Sequence, residues 1–320
     1  MRLNSRRALR MGVFPATLLL VLIAVAAASS QRVRLAPRLT PGETLRYRIE
    51  SRSTTTGKTT TPIVNPEGGT QASQAIHLVV RLDVLDAQPA AAAGSGEVHL
   101  RATYEKSSAE SESDAFDPDA ASFGDQYARF EGQSIEFTMK PGGLLGDFKG
   151  LEEVFADRSA AEPVVSWLEA LASGAGFPRE GISIGQKWTS ERPLDGAPLS
   201  GLTWRTESTY LRNEPCKSSG SASDCAVILT RFRILRRGSV HPDATPEEYR
   251  RNGLRTSGSW TGSGESLDSI SLSTGLLVNS TQTGTQDMDY EITSASTGSS
   301  IHHKGQVRTQ SEITLLPNQM

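Results

Sequence analysis

Histidine and cysteine are scarce in this 320-residue chain, with five of the first and two of the second. The shortage of histidine removes the commonest general base and metal ligand from most of the molecule, and no His-Glu-x-x-His pattern occurs. His302 and His303 are neighbours, so on a strand they point to opposite faces and do not share a metal. With no other cysteine and no nearby histidine except His241, the two cysteines do not read as a two-thiol metal or redox site. No Gly-x-Ser-x-Gly elbow is present, because Gly258-Ser259-Trp260-Thr261-Gly262 carries Trp where the nucleophile would stand. Gly142-Gly143 and Gly174-Ala175-Gly176 lack the spacing and the Lys-Ser/Thr ending of a phosphate loop. No constellation brings nucleophile, base and stabiliser together, so the expectation is a protein that is not an enzyme and has no cofactor and no metal.

Positive charge is also short. Residues 1–30 hold Arg2, Arg6, Arg7 and Arg10 with no acid, then an apolar run from Met11 to Ala28 and small residues at Ser29 and Ser30. That is a secretory leader, and Ser5-Arg6-Arg7 resembles a twin-arginine signal. Its removal leaves 29 basic against 36 acidic residues, a net charge of about −7. Nucleic-acid proteins concentrate the opposite sign, so no nucleic-acid partner is expected. No later run is long and apolar enough to cross a bilayer, and the mature chain is expected to have no transmembrane span. In an exported chain, Cys216 and Cys225 read as one disulfide joining the open end of a hairpin between strands Leu202 to Asn213 and Ala226 to Leu235.

What the chain has in abundance is alternation with period two. Ile76, Leu78, Val80, Leu82 and Val84 share one parity, as do Val98, Leu100, Ala102 and Tyr104, and then Ile135, Phe137 and Met139. In the second half Leu202, Trp204 and Tyr210 do the same, followed by Ala226, Ile228, Phe232 and Ile234, then by Met288, Tyr290 and Ile292. Strands with one dry and one wet face belong to antiparallel sheets.

Two phrases recur in order. Gly42-Glu43-Thr44-Leu45 is echoed by Gly185-Gln186-Lys187-Trp188, and an apolar strand with a glycine turn and a Leu-Leu pair closes each half, at Gly143-Leu144-Leu145 and Gly275-Leu276-Leu277. The reading is an all-β protein of two antiparallel curved sheets, or half-barrels, related by internal duplication. Residues 1–30 are the leader, 31–150 the first β repeat, 151–180 a helical connector and 181–320 the second repeat.

Within the connector, Ser159 and Glu162 form a capping box with Pro163 inside it, and Val164, Trp167, Leu168 and Leu171 make one apolar stripe that must lie on the sheets. Thr245-Pro246-Glu247-Glu248 starts another, shorter capped helix that ends at Asn252. Ser53 to Ser73, Ala90 to Gly96 and Ser107 to Gly124 read as mobile linkers, the last with a solvated acidic loop of Asp114, Asp117, Asp119 and Asp125.

Two surface features remain. Trp167, Trp188, Trp204 and Trp260 pack in a core or wall an apolar cleft. Arg205, Arg231 and Arg233 share the outward parity of two paired strands, where they pair with acids such as Glu207 or present a face to a partner.

The stretches Leu39-Thr40-Pro41-Gly42-Glu43-Thr44-Leu45-Arg46-Tyr47, Phe130-Glu131-Gly132-Gln133-Ser134-Ile135-Glu136-Phe137 with Pro141-Gly142-Gly143, and Phe177-Pro178 leading to Ile184-Gly185-Gln186-Lys187-Trp188 resemble a family of exported bacterial β-rich proteins of unknown function. The resemblance spans most of the mature chain and implies a repeated β-rich extracytoplasmic fold, without catalytic or binding residues. In outline the curved meander with a helix against it is also similar to the lipoprotein-carrier half-barrels of the bacterial envelope. The functional expectation is a non-enzymatic exported envelope protein, periplasmic or extracellular, that binds a lipid or other apolar small molecule in the cleft. The alternative is a structural or interaction module that binds another envelope protein and has no small ligand.

Overall fold

The computed structural model describes residues 32–60, 69–87, 96–114, 120–140, 144–154, 158–171, 177–178, 180–194, 196–217, 223–236 and 245–317. The expected leader and the Gly142-Gly143 and Gly174 to Gly176 segments lie outside them. The strands are β1 (Thr44–Thr60), β2 (Thr70–Ala87), β3 (Val98–Ser113), β4 (Ser134–Met139), β5 (Leu145–Lys149), β6 (Lys187–Pro193), β7 (Leu202–Pro215), β8 (Asp224–Arg236), β9 (Leu254–Ser271), β10 (Leu277–Ser294) and β11 (Ser300–Leu315). Among the described residues four helices accompany them: α1 (Ala120–Ala128), α2 (Leu151–Val154), α3 (Arg158–Leu171) and α4 (Glu247–Arg251).

The chain is mainly β, as its alternation requires, but the two expected sheets are one. All eleven strands form a single antiparallel sheet in the order β5-β4-β3-β2-β1-β11-β10-β9-β8-β7-β6. The reason is β11, which pairs with β1 along one side and β10 along the other. A long β1 left at an edge would present a row of unsatisfied backbone groups, and β11 fills it. The sheet is open, because β5 and β6 end the order without pairing to each other.

Each long strand has two ends in different surroundings. At the proximal end, Leu45, Tyr47 and Ile49 of β1, Leu78 to Val84 on the even positions of β2, Leu100, Ala102 and Tyr104 of β3 and Ile135, Phe137 and Met139 of β4 are buried on the inner face. They share one core with Tyr210, Ile228, Ile270 and Ile313 from the other half of the sheet. The sheet therefore curls until strands from both flanks reach the same core. Ladder irregularities at Val79/Val80, Val84/Asp86, Tyr210/Arg212 and Leu277/Asn279 lie at this end, and bulges of this kind bend strands and raise their twist. The Tyr47 hydroxyl donates to the Leu277 carbonyl at 3.0 Å, and burial pushes the phenol's pKa up.

Segments expected to be linkers are structured. Residues 53–60 and 70–73 prolong β1 and β2, and 107–113 prolong β3. In β1 and β2 these stretches have two polar faces and no alternation of burial, but threonine suits extended backbone and the neighbouring strands satisfy the ladder. The β3 stretch keeps its alternation, with Ser107 buried and Ala109 against the core, and it pairs with β2 alone. Further along the same expected linker, α1 carries Phe123 and Tyr127 into an aromatic group with Phe130 and Tyr104, with ring centroids 5.0 to 6.0 Å apart. The short helix α4 forms without the expected threonine cap. Thr245 Oγ1 instead accepts from the Thr256 N–H at 2.8 Å, which fastens the loop to β9.

Candidate functional site

The apolar end was the expected cleft, and it is filled. Helix α3 lays Val164, Leu168 and Leu171 on the inner face of the sheet, each almost fully buried. The space left between the helix and Leu45, Tyr47, Leu82, Leu100 and Phe137 is about 20 Å³, room for about one water and not for an acyl chain. The N-terminal segment closes this end further: Val33 bridges to Ile182, and Arg38 N–H donates to the Thr274 carbonyl at 2.7 Å. Gly275, at φ 69°, is required there, because a Cβ would lie 2.0 Å from the Ala36 carbonyl oxygen.

The four tryptophans do not gather into one wall. Trp167 and Trp188 pack against the main core, with Trp188 edge-on to Phe177 at 5.9 Å. Trp204 and Trp260 flank a second, smaller core of Ala197, Leu199, Leu202 and Ile234. Trp204 stacks on Phe232 at 4.6 Å, and Phe232 in turn lies over Gly264 and Gly284, where a Cβ would be 2.2 and 3.1 Å from its ring. Trp260 stacks on Tyr290, and its indole N–H donates to Gln286 at 3.0 Å. The disulfide Cys216–Cys225 is formed beside the β7–β8 ladder and closes a loop worth about 2.5 to 3 kcal/mol in the chain-entropy account.

Arg205, Arg231 and Arg233 do share the outer face. Arg205 stands directly opposite Arg233, and Arg231 opposite both Glu207 and Glu265. Arg205 reaches Glu191 and Arg231 reaches Glu265, both at 3.8 Å. This is an exposed strip of alternating charge, and pairs of this kind contribute about 0–1 kcal/mol. His77 and His99 are not neighbours: His77 pairs across to Ser108, nine positions along β3 from His99.

On the inner face just beyond the core, the register lines up Ser208, Thr230, Ser266, Gln282, Ser311 and Ser51 across six adjacent strands. At the boundary between this polar row and the core sits Asp268, accepting from Ser280 Oγ at 2.6 Å and Ser266 Oγ at 3.1 Å. Burial pushes its carboxyl above the usual carboxylate range, and the two hydroxyls offset only part of that.

The large open concavity is elsewhere, on the outer face at the distal end. It encloses about 720 Å³ and is lined from β1, β2, β9, β10 and β11, with Asp114 just past β3. Its floor is two rows. One runs Ser259, Asp289, Lys304 and Lys58, the other Thr261, Asp287, Gln306, Thr56 and Gln71. Lys304 Nζ is 3.1 Å from Asp289, which also binds His302 Nε2 at 2.7 Å, and these partners hold the Asp289 carboxyl below its ordinary range. Gln306 donates to Asp287 at 2.9 Å. Lys58 directly opposes Lys304 and has no acidic partner among the described residues. Beneath them Gly57 faces Gly305, and a Cβ on Gly305 would lie 2.7 Å from the Thr56 carbonyl oxygen, so side chains here would force β1 and β11 apart.

Sequence reasoning missed this trough, because Thr56, Lys58, Thr70 and Gln71 fell within the expected linker Ser53 to Ser73. The run of threonines, a residue that favours strands, was the signal available.

No protein-family model and no curated protein matches the chain. Among solved structures, a Bacteroides fragilis protein described as exported and of YmcC-like fold is similar over 91% of this chain and 100% of its own, at 10% identity and a TM-score of 0.27. An outer membrane channel from Pseudomonas putida F1 is similar over 88% of this chain and 97% of its own, at 9% identity and a TM-score of 0.20. Likenesses this distant assign no residue, and the site rests on its own geometry.

Proposed function

We propose that the chain is a non-enzymatic exported protein of the cell envelope that works as a binding module through the outer trough. The observation that carries this reading is the contrast in space: the gap beneath α3 holds about 20 Å³, against about 720 Å³ in the polar trough. Export is supported by the disulfide, which persists in oxidising compartments, and by the leader read in residues 1–30. Among the described residues no helix is long and apolar enough to cross a membrane.

The test is capture of partners from native envelope extract. Thr261→Arg, which fills the trough, should lose what the wild type retains, and Arg231→Glu with Arg233→Glu should keep it. The reverse pattern moves the interaction to the arginine strip and overturns the proposal.

A second reading, a lipid or other hydrophobic ligand, is favoured by the α3 stripe: lifting the helix would bare an apolar bed of Leu45, Tyr47, Leu82, Leu100 and Phe137. It predicts saturable uptake of a fluorescent fatty acid. The trough reading predicts none.

A further inference from the structure

We infer that the trough binds an acidic carbohydrate chain, with its carboxylate seated between Lys58 and Lys304. The inference rests on the trough being the binding site and names what it takes.

Lys58 and Lys304 face each other directly across β1 and β11. Like charges at opposed positions destabilise a sheet, and among the described residues Lys304 is compensated, by Asp289 at 3.1 Å, and Lys58 is not. An anion placed between the two ammonium groups removes that repulsion. The chain as a whole is negatively charged, so general attraction does not draw acids to it. The recognition is confined to the lysine pair, because Asp114, Asp287 and Asp289 outnumber the two lysines in the lining as a whole.

The rest of the lining selects a hydroxyl-bearing ligand over an acidic peptide. Thr56, Thr70, Ser259 and Thr261 offer hydroxyls, Gln71 and Gln306 amides, and Asp287 and Asp289 carboxylates. This mixture of donors and acceptors suits sugar hydroxyls, which both donate and accept. Because Asp289 is held ionised by His302 and Lys304, it is an acceptor for them. A peptide laid on a sheet is read through free backbone groups at an edge and apolar pockets for alternate side chains. The trough lacks the apolar pockets: Met288 is the one large apolar side chain in the lining among the described residues, and the stretches Ser259 to Thr261 and Lys58 to Thr60 pair on one side, with β10 and β11.

Affinity electrophoresis of the full mature chain tests this in gels containing polygalacturonate, dextran or polyglutamate. Polygalacturonate is expected to retard the protein, and the other two are not. Lys58→Gln is expected to weaken the retardation about fivefold or more while leaving the melting temperature equal or higher, since it also relieves the repulsion. A substitution that acted only by disturbing the fold would lower both.

Equal retardation by polyglutamate would show a charge sink without sugar recognition and overturn the inference, as would equal retardation by dextran. If no glycan binds while Thr261→Arg still abolishes capture from envelope extract, the ligand class is wrong and the trough remains the site. If neither assay responds to Thr261→Arg, both readings fail.

Discussion

The proximal and distal ends of the same strands are built on different principles. In β1, Leu45, Tyr47 and Ile49 alternate with wet residues and are buried against helix and sheet, while Ser51 to Thr60 leaves neither face buried. In β10, Leu277 and Val278 are fully buried, yet from Asn279 onward no residue is. One ladder of backbone hydrogen bonds runs through both ends. The first end is held by side chains that escape water, the second mainly by the pairing of its neighbours. The lesson is that the dry end supplies stability and the wet end surface, so the end that carries the fold need not carry the function.

The strongest way to break that comparison is to remove one buried side chain and one distal counterpart on the same strand. Ile49→Ala is expected to cost about 2–5 kcal/mol in urea unfolding, and Thr55→Ala less than about 0.5 kcal/mol. Equal losses would show that the distal end is held by packing after all.

Gly264→Ala lies between the two ends and tests the close approach there. A Cβ would be 2.1 Å from the Thr283 carbonyl oxygen and 2.2 Å from the Phe232 ring, so a loss of about 1–3 kcal/mol is expected, with a change in near-UV signal from the Trp204–Phe232 stack. A neutral outcome would mean that the inner face has room to spare.

The smallest effect belongs to Asp268, at the border itself. Its folded pKa stands above the ordinary value of 3.8, so between those two values the native state holds more protons than the unfolded chain. Stability therefore falls as pH rises through that window. Asp268→Asn carries no charge to desolvate and is expected to be modestly more stable than wild type at pH 7. The advantage should vanish below about pH 3.8. An advantage that persisted in acid would assign it to packing.

How legible the molecule was from its sequence follows the same division. The alternations around Leu78, Leu100, Phe137 and Ile228 announced buried faces because hydrophobic burial writes a period of two into the chain. The stripe Val164, Leu168 and Leu171 likewise announced a helix lying on the sheet, and Cys216 with Cys225 their disulfide. The distal extensions of β1 and β2 were invisible, because a strand wet on both faces has no reason to alternate, and the alternation of β3 beyond Lys106 is carried by serine and alanine, which do not announce a buried face. Thr54 to Thr60 and Ser108 to Ser113 look like linkers by composition.

The merging of two sheets into one was hidden for another reason: it depends on β11 pairing with β1, a choice between edges that no local pattern records. The candidate site was lost with the extensions. Lys58 acquires meaning only when the register sets it opposite Lys304.

The pairing of β1 with β11 has a temporal consequence. Tyr47 meets Leu315 and Thr60 meets His302, so the middle of the sheet joins residues separated by most of the described chain. Contacts of such high order carry a large loop-closure cost and form late. During synthesis β1 can zip onto β2 at once but must wait with its other edge bare until β11 emerges. Assembly of this protein should therefore be slow, with a vulnerable interval in which an exposed seam invites aggregation or a chaperone.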